Sequence, residues 1–150
     1  MSDGQTEGLH ASRRHPWGTE ALPEPHVWTT LGYRNAGWEP GRAVIEWDAP
    51  KEFCFLFNDG YRVHGGMLAT LLDTAMGGAC WTLMDEDEHF LTGDLNVEFY
   101  RSARPGLLRA EGRVVHRTKR LVFCAAEIAD GDGNPIAGSR CTQVVLAERS

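Results

Sequence analysis

The sequence predicts an α+β domain built from one long buried helix and an antiparallel sheet, on three observations. Leu68, Leu71, Leu72, Ala75, Met76, Ala79 and Leu83 recur at three- and four-residue spacing, which is the helical period. The other faces of that segment carry Ala69, Thr70, Thr74, Gly77, Gly78 and Trp81, so the helix is apolar almost all round and must be buried on nearly every side. Four β-rich runs then follow, joined by connections that suit hairpins rather than crossovers.

Residues 1–21 are rich in Gly, Ser, Thr, His and Arg and have no apolar h-region, so they are expected to form a flexible segment rather than a secretory signal. Residues 22–150 are expected to form one domain. Pro23 and Pro25 precede a short helical stretch, Val27 to Leu31, closed by Gly32 and Gly37. Arg42 to Trp47 is a first strand, ending at Asp48-Ala49-Pro50. Phe53 to Phe57 is a compact apolar cluster, and Asn58-Asp59-Gly60 is a turn signal. The long helix should stop just before Asp85-Glu86-Asp87-Glu88, because acidic residues oppose the negative end of the helix dipole. The later strands are Phe90–Tyr100, Leu107–His116, Arg120–Asp130 and Pro135–Leu146. No internal repeat is visible. One antiparallel sheet covers only one side of a helix, so the remaining apolar surface, with Gly77 and Gly78 on it, calls for a second copy of the chain.

The length of 150 residues allows a sizeable core, and 42% hydrophobic with 24% charged residues is ordinary for a globular protein. A net charge of −6 argues against nucleic acid as a partner. Cys54, Cys80, Cys124 and Cys141 show no Cys-x-x-Cys spacing, which points away from zinc and redox dithiols and towards a reducing cytoplasm. Met67 to Leu83 is short for a membrane span and contains Asp73, so no membrane association is expected.

Chemistry concentrates at the start of the helix. His64-Gly65-Gly66 leads directly into it, where unpaired backbone N–H groups and the positive dipole end favour an anion or a carbonyl oxygen becoming one. Glycines there permit close approach, although they also serve a tight turn. Asp73 is the only carboxylate between Val63 and Met84. A carboxylate in such a place is paired, capping or functional. Next to a glycine-lined helix start, the functional reading is favoured.

These residues carry a family resemblance. Asn58 to Met67, followed by Leu71-Leu72-Asp73-Thr74-Ala75, resembles the signature of the phenylacetate-pathway (PaaI-like) hotdog thioesterases. The likeness continues through Thr92 to Val97, Arg101 to Gly106 and Asp132 to Ala137, and covers roughly Gly41 to Leu146. It implies a hotdog fold, in which a curved antiparallel sheet of about five to six strands wraps the helix. It also implies a dimer or dimer of dimers with active sites between subunits, and hydrolysis of an aryl or fatty acyl-CoA without metal or other cofactor. By this analogy the Gly65 N–H, with Gly66, polarises the thioester carbonyl, and Asp73 of the partner acts as nucleophile or general base. Asn58 positions water or carbonyl, His64 braces the loop, and Thr92 orients water. Arg101, Arg104, Arg117, Lys119 and Arg120 are the candidates for coenzyme A phosphates, grouped as a local positive patch. Lys119 stands where the family often has glycine.

The chemistry is coherent, since thiolate is a good leaving group and one carboxylate suffices beside an oxyanion site. His64, His89 and His116 lack the close spacing of a metal site. Phe53, Phe55, Phe57, Trp81 and Tyr100 are read as core in preference to an acyl pocket. Two alternatives remain: a non-catalytic hotdog protein that binds acyl thioesters, and a hotdog dehydratase or hydratase. The first has no need of Asp73, and the second lacks a matching Asp-x4-His element.

Overall fold

The computed structural model describes residues 24–147, so the expected flexible segment 1–21 lies outside the described residues. The chain runs α1 (His26–Leu31), β1 (Tyr33–Glu39), β2 (Arg42–Ala49), a 3-10 turn (Lys51–Phe53), β3 (Cys54–Phe57) and β4 (Gly60–Val63). It continues through α2 (Gly65–Trp81), β5 (Glu88–Phe99), β6 (Gly106–Arg117), β7 (Leu121–Asp130) and β8 (Pro135–Ala147). Six strands form one antiparallel sheet in the order β1-β2-β6-β7-β8-β5, and β3 and β4 pair separately. This is the hotdog architecture, with α2 held in the sheet.

Two features depart from the sequence expectation. β1 is an additional strand, hidden because Asn35 and Gly37 interrupt its alternation at a β-bulge. The apolar cluster at Phe53 opens a hairpin, which turns at Asn58-Asp59 and leads into the helix start.

One face of α2 packs mainly on β6 and β2. Leu68, Leu71, Leu72, Ala75, Met76 and Ala79 are buried there with Ile45, Trp47, Leu108, Ala110 and Ile128. Tyr33 is held edge-on by Trp28 and Trp47, and its buried hydroxyl has no hydrogen-bond partner among the described residues. The closest approach of helix to sheet is at Gly112. A Cβ there would fall on the backbone carbonyl of Ala75, so only glycine lets α2 sit this low.

The helix stops after Trp81, as the acidic run implies. Thr82 closes it, its hydroxyl donating to the Ala79 carbonyl and accepting from the Gly41 N–H. Beyond it, Arg117 holds the Leu83 carbonyl and grips both carboxylate oxygens of Glu88 at 2.8 and 2.9 Å. Desolvation raises the Glu88 pKa, but the Asp85 N–H and Arg117 outweigh it and hold the carboxyl below the ordinary glutamate range.

The seat at Gly112 predicts that Gly112→Ala destabilises the fold by at least about 2 kcal/mol, measured by urea unfolding. Gly131→Ala, whose Cβ would meet only Leu107 at 3.9 Å, should stay within about 0.5 kcal/mol of wild type. Equal stability of both variants would contradict the close contact. The Glu88 carboxylate contributes stability above its unfolded pKa, and that contribution is lost as pH falls through the lowered folded value. The stability difference between wild type and Glu88→Gln should therefore shrink from about pH 7 to about pH 3. A constant difference would show that ionised Glu88 is not what stabilises this corner.

Candidate active site

The start of α2 is fixed from three directions. His64 N–H donates to the Phe53 carbonyl at 3.0 Å, and Val63 N–H donates to the Ala103 carbonyl at 2.8 Å. Arg62, only 9% exposed, donates to Ser102 and pairs with Asp59 at 2.6 Å. Arg104 grips the other oxygen of Asp59 at 2.9 Å. Desolvation raises the Asp59 pKa, but Arg62 and Arg104 together outweigh it and hold its carboxyl below the usual range. Asn58 therefore sits, exposed, on a hairpin turn whose next residue is clamped by two arginines.

His64 is the N-cap of α2, and its Nδ1 accepts from the Gly66 N–H at 3.0 Å. Met67 and Leu68 N–H groups both donate to the His64 carbonyl. That corrects one expectation: the Gly66 N–H is already spent on His64, so it is not available to a substrate. The Gly65 N–H is left without a partner among the described residues. The Phe99 ring lies over Gly65, 3.3 Å from where a Cβ would stand, a tight contact that the exposed ring can relieve by a small shift.

Asp73 lies eight residues further on. Gly66, Ala69, Thr70, Asp73, Thr74 and Gly77 are not buried and form one stripe along the helix, away from the core. Thr92 donates its hydroxyl hydrogen to Asp73 Oδ1 at 2.9 Å. A β-bulge brings that hydroxyl round. The register of β5 against β8 shifts between Thr92 and Asp94, and Asp94 closes the bulge by accepting the Thr142 N–H. Phe90 and Thr92 before the bulge, and Val97 and Phe99 after it, thus share the helix-facing side. Behind Thr92 stands Gln143, fully buried, a polar neighbour that sequence reasoning missed because β8 reads there as plain strand.

The structure brings Asp73 to Thr92 and His64 to Gly66, but no hydrogen bond joins Asn58, Gly65 and Asp73 to one another among the described residues. The basic residues do not form one patch. Arg101 and Arg104 follow β5 beside the helix start, whereas Arg117, Lys119 and Arg120 lie at the β6–β7 turn near the helix end. The 17-residue helix separates the two groups by about 25 Å. Arg104 and Arg117 are moreover engaged by Asp59 and Glu88. The reading of the aromatics as core also needs correction, because Phe55, Phe57 and Tyr100 are exposed. Tyr100 lies across Gly138 on the sheet instead.

Among the described residues no three His, Cys, Asp or Glu side chains are placed to hold a metal ion, and no helix is long and apolar enough to cross a membrane.

A family model described as the thioesterase superfamily matches residues 61–137. A 1,4-dihydroxy-2-naphthoyl-CoA hydrolase of Listeria monocytogenes is 26% identical over 80% of this chain and 95% of its own length. Among solved structures, a thioesterase family protein from Silicibacter pomeroyi superposes with a TM-score of 0.75 at 28% identity, covering 83% of this chain and 91% of that one. The E. coli PaaI protein from the phenylacetic acid degradation operon superposes at 0.73 and 22% identity over 82% of this chain and 86% of its own, a likeness of fold. Since the matched segment runs from the hairpin through the capped helix and Asp73 to the last strand, the chain belongs to the thioesterase superfamily and is a hotdog-fold thioesterase.

Proposed function

We propose that the protein hydrolyses acyl-CoA thioesters at two equivalent sites, each shared by two copies of the chain. One observation carries this reading. The unpartnered Gly65 N–H and the Asp73 carboxylate lie on the same helix eight residues apart, about 12 Å along its axis. An oxyanion donor and an attacking oxygen must both reach one carbonyl at about 3 Å. One helix therefore supplies half of each site, and a two-fold partner supplies the other half.

The surface around the stripe supports a partner. β5 is an edge strand of 12 residues, and Leu91, Leu95 and Phe99 on it are exposed. The β3–β4 hairpin adds exposed Phe55, Leu56, Phe57 and Tyr61. A protein of this size would not leave so much apolar area in water without a reason.

In the assembled site the thioester oxygen accepts from Gly65 of one copy while Asp73 of the other acts. As general base, Asp73 takes a proton from water, whose oxygen attacks the carbonyl carbon. Negative charge then rests on the oxygen at the Gly65 N–H. The C–S bond breaks as the carbonyl re-forms, and the coenzyme A thiolate leaves and takes up a proton. As nucleophile, Asp73 forms an anhydride that water opens. Thr92 holds Oδ1 in either case, leaving Oδ2 to act. Asn58, on its clamped turn, is the candidate to position water or carbonyl. Coenzyme A as the carrier is supported by the name of the Listeria relative and by Arg101 and Arg104 beside the helix start.

Thiol release should be measured across aryl-, short- and long-chain acyl-CoA substrates. Asp73→Ala is expected to lower turnover at least about a hundredfold. Wild type inactive on every substrate would remove the acyl-CoA reading, and full activity in Asp73→Ala would remove the carboxylate's role. Gly65→Pro isolates the oxyanion donor, because proline fits the first helical position but has no N–H. It should be nearly inactive, with Gly65→Ala far less impaired. When Asp73→Ala and Gly65→Pro proteins are unfolded and refolded together, half of the dimers are mixed and each has one intact site. About a quarter of wild-type activity should return, and no recovery would mean that the sites are not shared.

A further inference from the structure

We infer that Gln143 is a positioning residue for the reaction, holding the Thr92 hydroxyl so that its single hydrogen is committed to Asp73. The inference rests on the proposal that Asp73 acts on the thioester.

Thr92 Oγ1 stands 2.9 Å from Asp73 Oδ1 and 3.0 Å from Gln143 Oε1. A hydroxyl has one hydrogen, so it cannot donate to both oxygens. The carboxylate is the stronger acceptor and takes it. With the amide oxygen facing Thr92, two oxygens would then confront each other at 3.0 Å with no hydrogen between them. Gln143 is 0% exposed, and a buried amide left in that state is costly.

The two ends of a side-chain amide have the same shape and are told apart by their hydrogen bonds. Reversing the Gln143 amide satisfies every atom. Its NH2 then donates to Thr92 Oγ1, and its oxygen meets Cys141 Sγ, the atom 3.2 Å from the other end of the amide. Cys141 is buried, and a hydrogen bond to Cys124, together with desolvation, raises its pKa, so it stays a thiol whose one hydrogen turns from Cys124 to the amide oxygen in this arrangement. The chain of donors runs from Cys141 to Gln143, from Gln143 to Thr92, and from Thr92 to Asp73. It has one direction, and it ends on the carboxylate oxygen that is not free to attack.

Nothing about the fold requires a glutamine here. Its neighbours on the inner face of the sheet, Val122, Cys124 and Cys141, are small or apolar and also buried. A leucine would fill the space at lower desolvation cost. The amide is explained by what it does for Thr92.

The test is a cycle of Gln143→Leu and Thr92→Val, with thermal unfolding to confirm that each variant folds and Asp73→Ala alongside. Gln143→Leu should lower kcat about fivefold, with KM changed less than about twofold, the size of one buried hydrogen bond. In the Thr92→Val background the same change should alter kcat less than about twofold. Gln143→Glu adds a test of direction: an ionised carboxylate can only accept, so it should draw the Thr92 hydrogen away from Asp73 and impair kcat more than leucine does. Wild-type kcat in Gln143→Leu, equal losses in both backgrounds, or a fully active Gln143→Glu would each overturn the inference. If Asp73→Ala is inactive and Gln143→Leu is not impaired, the role of Gln143 alone fails. If Asp73→Ala keeps full activity, the reading of the site fails first.

Discussion

α2 rests on β6 where Gly112 leaves no side chain between its own backbone and that of Ala75, and this contact governs the rest of the structure. A helix seated so low turns Leu68, Leu71, Leu72, Ala75 and Met76 into the sheet and so decides which residues point the other way. The outward stripe is the one with small residues and Asp73 on it. A bulge in β5 at Gly93 then brings Thr92 to that stripe, and without the extra residue the strand's alternation would carry the hydroxyl to the opposite face. Seat and bulge together place one carboxylate, half-buried, on the open side of the domain.

The two ends of the chemistry depend on different physics. At the helix start the issue is backbone hydrogen bonding. Four N–H groups begin any helix without i−4 partners, here those of His64, Gly65, Gly66 and Met67. The Phe53 carbonyl takes the first, the His64 ring takes that of Gly66 and the His64 carbonyl takes that of Met67. The ring that might have been a catalytic base is instead a cap, and its capping selects Gly65 as the remaining donor. At Asp73 the issue is keeping a carboxylate on an apolar helix. Thr92 supplies a hydrogen bond to one oxygen, and the helix face that carries Asp73 is not buried by the sheet. The arginines do structural work that also serves the site. Arg62 and Arg104 lock the turn that carries Asn58, and Arg117 ties the end of the helix to β5 and β6.

Much of this is legible from residue order. The long helix, its end before Asp85, the four later strands and the turn at Asn58-Asp59-Gly60 all follow from local rules of period, capping and turn chemistry. What escapes are features with weak local signals. β1 is broken by its own bulge. Gln143 lies on a strand whose alternation is satisfied whether or not a polar side chain faces inward. The split of the basic residues into two ends is invisible in a list of positively charged positions, because they are separated by a helix and not by sequence distance.

The sequence by itself determined the class of fold, the buried helix and the chemical groups on it, because period and composition act over a few residues and are written in order along the chain. Tertiary structure decided which amide at the helix start stays free, which face of β5 carries Thr92, and which arginines are already engaged. Those outcomes depend on residues far apart in the chain meeting at hydrogen-bond distance, as Thr92 meets Asp73 and Arg117 meets Glu88. Pairings of that kind are set by the register of neighbouring strands and the depth of one helix in its sheet, and neither is a property of any short stretch of sequence.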